Sequence, residues 1–285
     1  MSGRAGLPAG VLTGLALVAF AGNSLLCRLA LRAGAIDPGS FTSLRLASGA
    51  LVLALLLRGR GSPAAPAPSW QSAAALAGYA IPFSFAYVAL PASTGALLLF
   101  GAVQVTMLAS SLRGGELHHP RQWLGALIAL GGLIYLLLPG LAAPPLGSAA
   151  LMLLAGIAWG AYSILGRGTS DPLAATATNF ARAVPVALLA SALTYASFTA
   201  SLPGLLLALT SGAIASALGY VIWYAALPRI SRLTASLVQL AVPVLTALAG
   251  VLLLGEALTP RLLLAGLLVL GGIALGVLAP RAPAV

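Results

Sequence analysis

The residues that carry out most protein chemistry are scarce in this sequence. Its 285 residues include four carboxylates, two histidines, one cysteine and no lysine. His118 and His119 are adjacent and have no third ligand nearby, which favours solvated loop residues over a zinc or haem site. Cys27 lies in an apolar run and has no partner for a disulfide. The sequence therefore predicts no catalytic residue, no metal site and no cofactor.

Polar and aromatic side chains inside apolar segments are better candidates, for binding rather than catalysis. Tyr79, Phe83 and Tyr87 are spaced to share one helix face, which Pro82 interrupts. Such a stripe is common in ordinary packing. Rings beside amides and hydroxyls also suit a partly apolar solute, because the rings stack while the amides bind its polar ends. The predicted cavity residues are Asn23, Ser24, Tyr79, Phe83, Tyr87, Phe100, Gln104, Trp159, Tyr162, Asn179 and Gln239.

Three arginines fall within apolar segments, where an isolated guanidinium is unfavourable. Arg45 and Arg182 lie one or two turns inside their segments. Each either attracts a substrate carboxylate or binds neighbouring carbonyls, and the sequence leaves both interpretations open. Arg28 lies near the end of its segment and is interpreted as an anchor that reaches toward the membrane surface.

The four carboxylates all lie at segment ends. Glu116 and Glu256 each follow a glycine, so they are interpreted as loop and capping residues or, alternatively, as gate residues that pair with an arginine. Asp37 and Asp171 precede prolines, which is typical of a helix start. The helices are predicted to move at prolines, namely Pro82, Pro185 and Pro243.

The elements that must position these residues are membrane-spanning helices. With 60% hydrophobic and 6% charged residues, the chain has too little polar surface for a soluble protein, so its surroundings are a lipid bilayer. Its 14 basic residues are scattered singly, which argues against a nucleic acid partner. A span needs roughly 20 apolar residues. Ten such segments are predicted, at 7–31, 38–57, 70–90, 93–113, 120–139, 147–167, 172–196, 203–227, 231–254 and 260–279.

The arginines between the segments predict the orientation. With ten spans, nine of them fall on the side of the N-terminus and two on the other side. Because basic residues beside spans stay in the cytoplasm, both termini are predicted to be cytoplasmic.

The sequence also repeats itself at a shift of about 140 residues. Gly115, Glu116, Pro120 and Arg121 recur as Gly255, Glu256, Pro260 and Arg261, and Arg45 recurs as Arg182. Five segments per half is an odd number, so the second half enters the membrane from the opposite side. The predicted fold is all-α, with ten transmembrane helices in two inverted five-helix repeats around a central cavity. The repeats comprise residues 1–140 and 146–280, and 281–285 form a cytoplasmic tail.

Paired motifs connect this pattern to a known family. They are the Gly-Glu pairs after the fourth and ninth segments, the Gly-Gly pairs in the fifth and tenth, Trp159-Gly160 and Pro243. Over essentially its whole length the chain resembles the drug/metabolite transporter superfamily, specifically its EamA-type ten-helix exporters, and most of all aromatic amino acid exporters of the YddG type. The first half departs from the pattern, with Ala21 where Trp159 stands and Val103 where Pro243 stands.

The resemblance implies a transporter rather than an enzyme, which exports aromatic and other neutral amino acids across the bacterial inner membrane by alternating access. Since no carboxylate lies in mid-segment, obligatory ion coupling is not expected. We expect the protein to work as a monomer, with a dimer as the alternative. The alternatives in function are a proton-coupled multidrug or sugar-nucleotide transporter and, in another class, a membrane-embedded lipid-modifying enzyme.

Overall fold

The chain folds as a bundle of helices in the computed structural model. The structure describes residues 7–60, 70–113, 120–138, 140, 143–166, 169, 171–226, 229–230, 238–239 and 241–278. Within these residues the main helices are α1 (Ala9–Arg32), α2 (Pro38–Arg60), α3 (Trp70–Tyr87), α4 (Ala92–Arg113), α5 (Pro120–Leu137), α6 (Leu146–Leu165), α7 (Pro172–Leu193), α8 (Leu202–Ala226), α9 (Ala241–Leu254) and α10 (Pro260–Val277). The prediction of ten helices is therefore confirmed.

Helix starts and ends follow from local chemistry. Proline opens four of the helices, where its missing N–H has no intrahelical partner to lose. The Asp171 side chain accepts hydrogen bonds from the backbone N–H groups of Leu173 and Ala174 at 3.1 and 3.2 Å. The interpretation of Asp171 as a helix start is thereby confirmed. Gly255 follows α9 with a φ of 64°, a left-handed conformation that glycine adopts without strain.

The helices differ in how well their lengths and polarities match those of a membrane span. Six of them, α1, α2, α5, α6, α7 and α8, are long and apolar enough to cross a bilayer. Shorter apolar helices lie at Ala92–Met107, Ala241–Leu254 and Pro260–Gly276. The predicted ninth span started at residue 231, and residues 231–237 lie outside the described part. The described helix bounds otherwise agree with the predicted spans to within a few residues.

The helix contacts stay similar when each helix is replaced by its equivalent in the other half. α1 packs against α8 and α9, and the corresponding first helix of the second half, α6, packs against α3 and α4. Two further pairs, α2 with α8 and α3 with α7, exchange into each other, and three pairs join equivalent helices, since α2 packs on α7, α4 on α9 and α5 on α10. Small residues permit the closest of these approaches. A Cβ added at Gly272 would lie 2.5 Å from the carbonyl oxygen of Gly125, so α5 and α10 touch backbone to backbone there.

Loops that ten crossings place on the same side do contact one another. Asp37 donates its backbone N–H to the Thr199 carbonyl at 2.9 Å, which joins the α1–α2 turn to the α7–α8 loop. Arg32 donates to the Leu254 carbonyl at 2.6 Å, next to the α9–α10 loop. At the opposite end of the bundle, Arg229 donates to the Leu7 carbonyl at 2.9 Å. These contacts agree with the predicted alternation of the segments.

Candidate functional site

A small cavity lined mainly by aromatic rings lies between α1, α3, α4, α6 and α8. Its volume is about 20 Å³, which is room for about one water molecule. The structure therefore shows the site in a closed state, and a larger solute requires the helices to move apart. The lining residues are Phe20, Asn23, Ser24, Tyr79, Phe83, Leu99, Phe100, Trp159 and Tyr220.

Trp159 is the centre of the ring cluster. Its ring centroid lies 4.9 Å from that of Tyr79 and 4.9 Å from that of Tyr220, and 6.1 Å from that of Phe20. Rings at these separations attract one another edge to face or offset, beyond the effect of burial alone. Gly156, one turn before Trp159, brings α6 against α4, since a Cβ there would lie 2.5 Å from the Leu99 carbonyl oxygen. This close approach positions the indole against the cavity.

A polar network runs along one side of the cavity and joins the two halves. The Asn23 amide donates to the Tyr79 hydroxyl at 3.2 Å. Its Oδ1 accepts from the hydroxyl of Ser211 at 2.6 Å and from that of Ser216 at 3.4 Å. All of these side chains are buried. A hydrogen-bonded network in a low-dielectric interior fixes the register of the helices that supply it.

The two serines lie on an irregular stretch of α8. Residues Ser211–Leu218 form a π-helix between two α-helical parts, Leu202–Thr210 and Gly219–Ala226. π-helical turns are rare and are frequent at functional sites. The helix approaches α2 closely at Gly212, where an added Cβ would overlap the backbone of Arg45. The irregular stretch thus brings α8 close enough for Arg45 to reach Ser216.

Arg45 lies directly behind the cavity wall. Its Nη2 donates to the Tyr79 hydroxyl at 3.0 Å and its Nε to the Ser216 hydroxyl at 2.9 Å. The guanidinium carbon lies 5.2 Å from the Tyr79 ring centroid and 5.0 Å from that of Phe83. The side chain is only 1% exposed, and its Nη1 has no hydrogen-bond partner among the described residues.

The structure brings six of the predicted cavity residues together at this cavity, namely Asn23, Ser24, Tyr79, Phe83, Phe100 and Trp159. The other five are buried but do not line it. Tyr87 lies behind Phe83, with ring centroids 4.8 Å apart, and Tyr162 lies against Trp159 at 5.5 Å. The remaining three lie elsewhere in the helical interior: Gln104, Asn179 and Gln239.

Arg182 occupies different surroundings from its repeat partner Arg45. Its guanidinium carbon lies 4.6 Å above the ring of Trp70, which is itself largely exposed. Arg182 is partly exposed and does not line the cavity. Of the predicted hinges, Pro82 and Pro185 lie inside α3 and α7, whereas Pro243 lies in the first turn of α9.

Glu256 connects the two halves at one end of the cavity. Gly255 and Glu256 end α9 in a tight turn, in which the Gly255 N–H binds the Val251 carbonyl and the Glu256 N–H binds the Gly250 carbonyl. The Glu256 carboxylate then reaches the start of α4. Its two oxygens accept the Ala92 N–H at 2.8 and 2.9 Å. A carboxylate at a helix N-terminus is favoured by the unpaired N–H groups and the helix dipole.

Arg28 completes this connection, so its interpretation as an anchor for the membrane surface is wrong. Its Nε lies 3.4 Å from the Glu256 Oε1, and its Nη1 donates to the Tyr87 carbonyl at 3.0 Å and to the Val88 carbonyl at 2.9 Å. The guanidinium points inward because these carbonyls and the carboxylate neutralise it more fully than a distant surface does. Glu116, which the repeat predicts to be the counterpart of Glu256, lies outside the described residues.

Phe20 and Tyr220 line the cavity but were not among the predicted cavity residues. Phe20 precedes Arg28 by eight residues, and Trp159 precedes Arg167 by the same spacing. Phe20, rather than Ala21, is therefore the first-half counterpart of Trp159. Tyr220 is likewise the counterpart of Phe83 at the shift of 137 residues that pairs Tyr87 with Tyr224. Applying these shifts to every aromatic residue identifies both.

Comparisons with known proteins agree with this architecture. Residues 146–278 match the EamA-like transporter family. The chain is 59% identical over 272 residues to the uncharacterized protein PA1977 of Pseudomonas aeruginosa, covering 95% of this chain and 94% of that protein. A crystal structure of another protein superposes on this chain with a TM-score of 0.68 and 23% sequence identity. The match covers 94% of this chain and 98% of that protein's chain. That identity shows a shared fold alone.

The matched segment contains α6 to α10, and the match to PA1977 extends over both halves. The chain belongs to the EamA-like transporter family: it is a multi-pass integral membrane protein that transports a small molecule and is not an enzyme.

Proposed function

We propose that the protein exports aromatic and other neutral amino acids across the bacterial inner membrane by alternating access. The observation that carries this proposal is the cavity itself, in which rings from both halves surround the side chains of Asn23 and Ser24. Rings on opposite walls stack with an apolar side chain, and Asn23, Ser24 and Tyr79 provide hydrogen bonds for its polar end. The remaining predicted residues, Tyr87, Gln104, Tyr162, Asn179 and Gln239, adjoin the solute only when the cavity enlarges.

The movement follows from two inverted five-helix repeats, residues 1–140 and 146–280. Exchange of the halves preserves every major helix contact, which supports this division. Two similar halves related by an axis in the membrane plane rock between mirror-related states and expose one central site to each side in turn. The interior prolines Pro82 and Pro185 interrupt the hydrogen-bond ladders of α3 and α7, which makes these helices suitable for bending.

Glu256 acts as a gate in this mechanism. It joins α9 of the second half to α1 and α4 of the first, so the site opens at this end only when its contacts with Ala92 and Arg28 break. This end bears the loops with few arginines and is therefore the periplasmic one. The repeat assigns the same role to Glu116 at the opposite, cytoplasmic end, which is also the side predicted for both termini.

Obligatory ion coupling is not part of the mechanism. The three described carboxylates, Asp37, Asp171 and Glu256, are held at helix ends by backbone N–H groups, away from the cavity. A proton carrier would need a titratable acid near the site. A sugar nucleotide would need several cationic groups for its phosphates, whereas Arg45 is the one arginine behind the cavity within the described part of the chain.

Counterflow in proteoliposomes tests the proposal. Vesicles preloaded with tryptophan take up labelled tryptophan without any ion gradient if the protein is a gradient-driven carrier of aromatic amino acids. Trp159→Ala removes the central ring and is expected to lower the rate at least tenfold. Trp123→Ala, at an exposed position of α5, is the matched control and retains the rate.

The other outcomes are equally specific. Uptake that starts only after a proton gradient is imposed contradicts the uncoupled mechanism. Uptake of labelled UDP-glucose in place of tryptophan contradicts the proposed substrates.

A further inference from the structure

The Arg45 guanidinium is a buried charge without a counter-ion in the described structure. It makes no ion pair with Asp37, Asp171 or Glu256, each of which is bound elsewhere. It has one hydrogen bond to each half of the protein, and its Nη1 has no partner among the described residues. Removing a guanidinium from water without an anion is unfavourable by several kcal/mol, roughly, even when some of its hydrogen bonds are made.

Structural capping does not account for this arrangement. An arginine that stabilised the helices through carbonyls would direct its N–H groups at helix ends, as Arg28 and Arg32 do. Arg45 instead binds two hydroxyl groups, those of Tyr79 and Ser216. Hydroxyls are weak partners for a cation, and they leave the positive charge without neutralisation.

The Tyr79 hydroxyl lies between this charge and the cavity. It accepts hydrogen bonds from Arg45 at 3.0 Å and from Asn23 at 3.2 Å, which occupy its two acceptor positions. Its own proton is therefore left to donate, and Tyr79 lines the cavity. A hydroxyl that accepts from a guanidinium is a stronger donor, because hydrogen bonds in a chain polarise one another. The cavity thus offers a polarised O–H donor with a positive charge immediately behind it.

No group of opposite sign balances this donor on the cavity wall. The side chains that line the cavity are aromatic, aliphatic, amide or hydroxyl in the described part of the chain. The cavity therefore has a distinct place for a solute's negative group, whereas a positive group meets no carboxylate.

We propose that the cavity recognises its solute through a carboxylate, which accepts the Tyr79 O–H and is neutralised by Arg45, and that an α-amino group is not required. This proposal rests on the proposed function and redefines the solute class as aromatic carboxylates, with or without an amino group. Aromatic amines, which share only the ring, are rejected. Arg45 is a positioning residue in the closed state, since it acts on the carboxylate through Tyr79.

Three ligands with the same phenyl ring separate the contributions. They are 3-phenylpropionate with a carboxylate alone, phenylalanine with both groups and 2-phenylethylamine with an amine alone. Isothermal titration on the full-length protein in lipid nanodiscs measures each Kd, and empty nanodiscs correct for partition into lipid. We expect the first two values to agree within about threefold and the amine to bind at least tenfold more weakly.

Variants assign the selectivity to the two residues. Arg45→Gln and Tyr79→Phe are each expected to weaken 3-phenylpropionate at least tenfold without weakening 2-phenylethylamine, so the preference for the carboxylate is lost. Arg182→Gln is the matched control, because it removes the repeat-related arginine outside the cavity and leaves all three affinities unchanged. If Arg45→Gln does not fold, the comparison of the three ligands on the unmodified protein and the Tyr79→Phe variant still decide the question.

The results also separate this proposal from the proposed function. Equal binding of the carboxylate and the amine, absence of carboxylate binding, or unchanged selectivity in both variants overturns the carboxylate proposal, even if counterflow of tryptophan is observed. Arg45-dependent binding of 3-phenylpropionate without any counterflow of amino acids supports it while the proposed substrates fail.

Discussion

Removal of the Glu256 charge is expected to open the proposed gate. The carboxylate accepts the Ala92 N–H with both oxygens, at 2.8 and 2.9 Å, and lies 3.4 Å from the Arg28 Nε. Glu256→Gln preserves the shape of the side chain and one acceptor oxygen. It removes the charge that the α4 N-terminus and Arg28 both bind, and it turns an NH₂ group toward other donors. The variant therefore weakens the closed state without creating a cavity.

The magnitude follows from the contacts that lose their charge. A charge-assisted hydrogen bond is about twice as strong as a neutral one, so the loss at the α4 N-terminus is about 1 kcal/mol. The helix dipole contributes up to about 1 kcal/mol more. The ion pair with Arg28 adds about 1 kcal/mol, since exposures of 15% and 8% leave it only weakly screened. A total of about 2 to 3 kcal/mol raises the open population roughly 30- to 150-fold.

Thiol accessibility measures this population. In a Cys27→Ala background, Leu90→Cys introduces a thiol at a fully buried position in the α3–α4 turn beside the gate. Its rate of reaction with a charged thiol reagent, on protein in nanodiscs, is proportional to the open fraction when opening is fast. Glu256→Gln should raise this rate 30-fold or more. Thr259→Ala is the control, because Thr259 caps its own helix at 3.1 Å and contributes no bond to the gate.

A rate that rises less than threefold in Glu256→Gln, or equally in Thr259→Ala, refutes the gate. The first result would show that the carboxylate merely caps α4, and the second that any disturbance of this loop opens the site.

Three further predictions follow from the packing and the site. Gly272→Ala should destabilise the protein by about 1 to 3 kcal/mol in thermal unfolding, because the new Cβ lies 2.7 Å from the Ala129 nitrogen. Gly271→Ala is the control, since its Cβ meets open space and should not destabilise the protein. Equal unfolding midpoints for the two variants contradict the close approach of α5 and α10. Phe20→Ala should raise the Kd for tryptophan at least fivefold, and the exposed Val18→Ala should leave it unchanged; no effect of Phe20→Ala removes that ring from the site. Counterflow rates with and without an imposed proton gradient should agree within about twofold, and a larger acceleration indicates coupling.

The helices were predictable from the sequence because their signals are local. An apolar run of about 20 residues can satisfy its backbone in a bilayer only as a helix. The breaks also have local causes, as at Asp171-Pro172, where a capping side chain and a proline begin α7. The aromatic stripe of Tyr79 and Phe83 was predictable in the same way, since helical periodicity alone places both on one face.

It was harder to predict whether a side chain faces the interior of the bundle or the lipid. Arg45 and Arg182 occupy matching places in the repeat, yet one lies behind the cavity and the other over Trp70. In a membrane span both faces are apolar, so periodicity does not distinguish the face toward lipid from the face toward the bundle. Arg28 illustrates the same difficulty, because its partner Glu256 is 228 positions away along the chain. The π-helix in α8 was not predicted from its local sequence.

The differing positions of Arg45 and Arg182 have a mechanistic consequence. Two guanidiniums behind one small cavity would repel each other in a low dielectric, and a single carboxylate neutralises only one of them. The repeat therefore retains one charge at the site. Arg45 binds Tyr79 within its own half and Ser216 across the interface between the halves. If the halves rock, the bond to Ser216 changes while the bond to Tyr79 persists. The proposed carboxylate site is then expected to move with the first half, while the second half opens and closes around it.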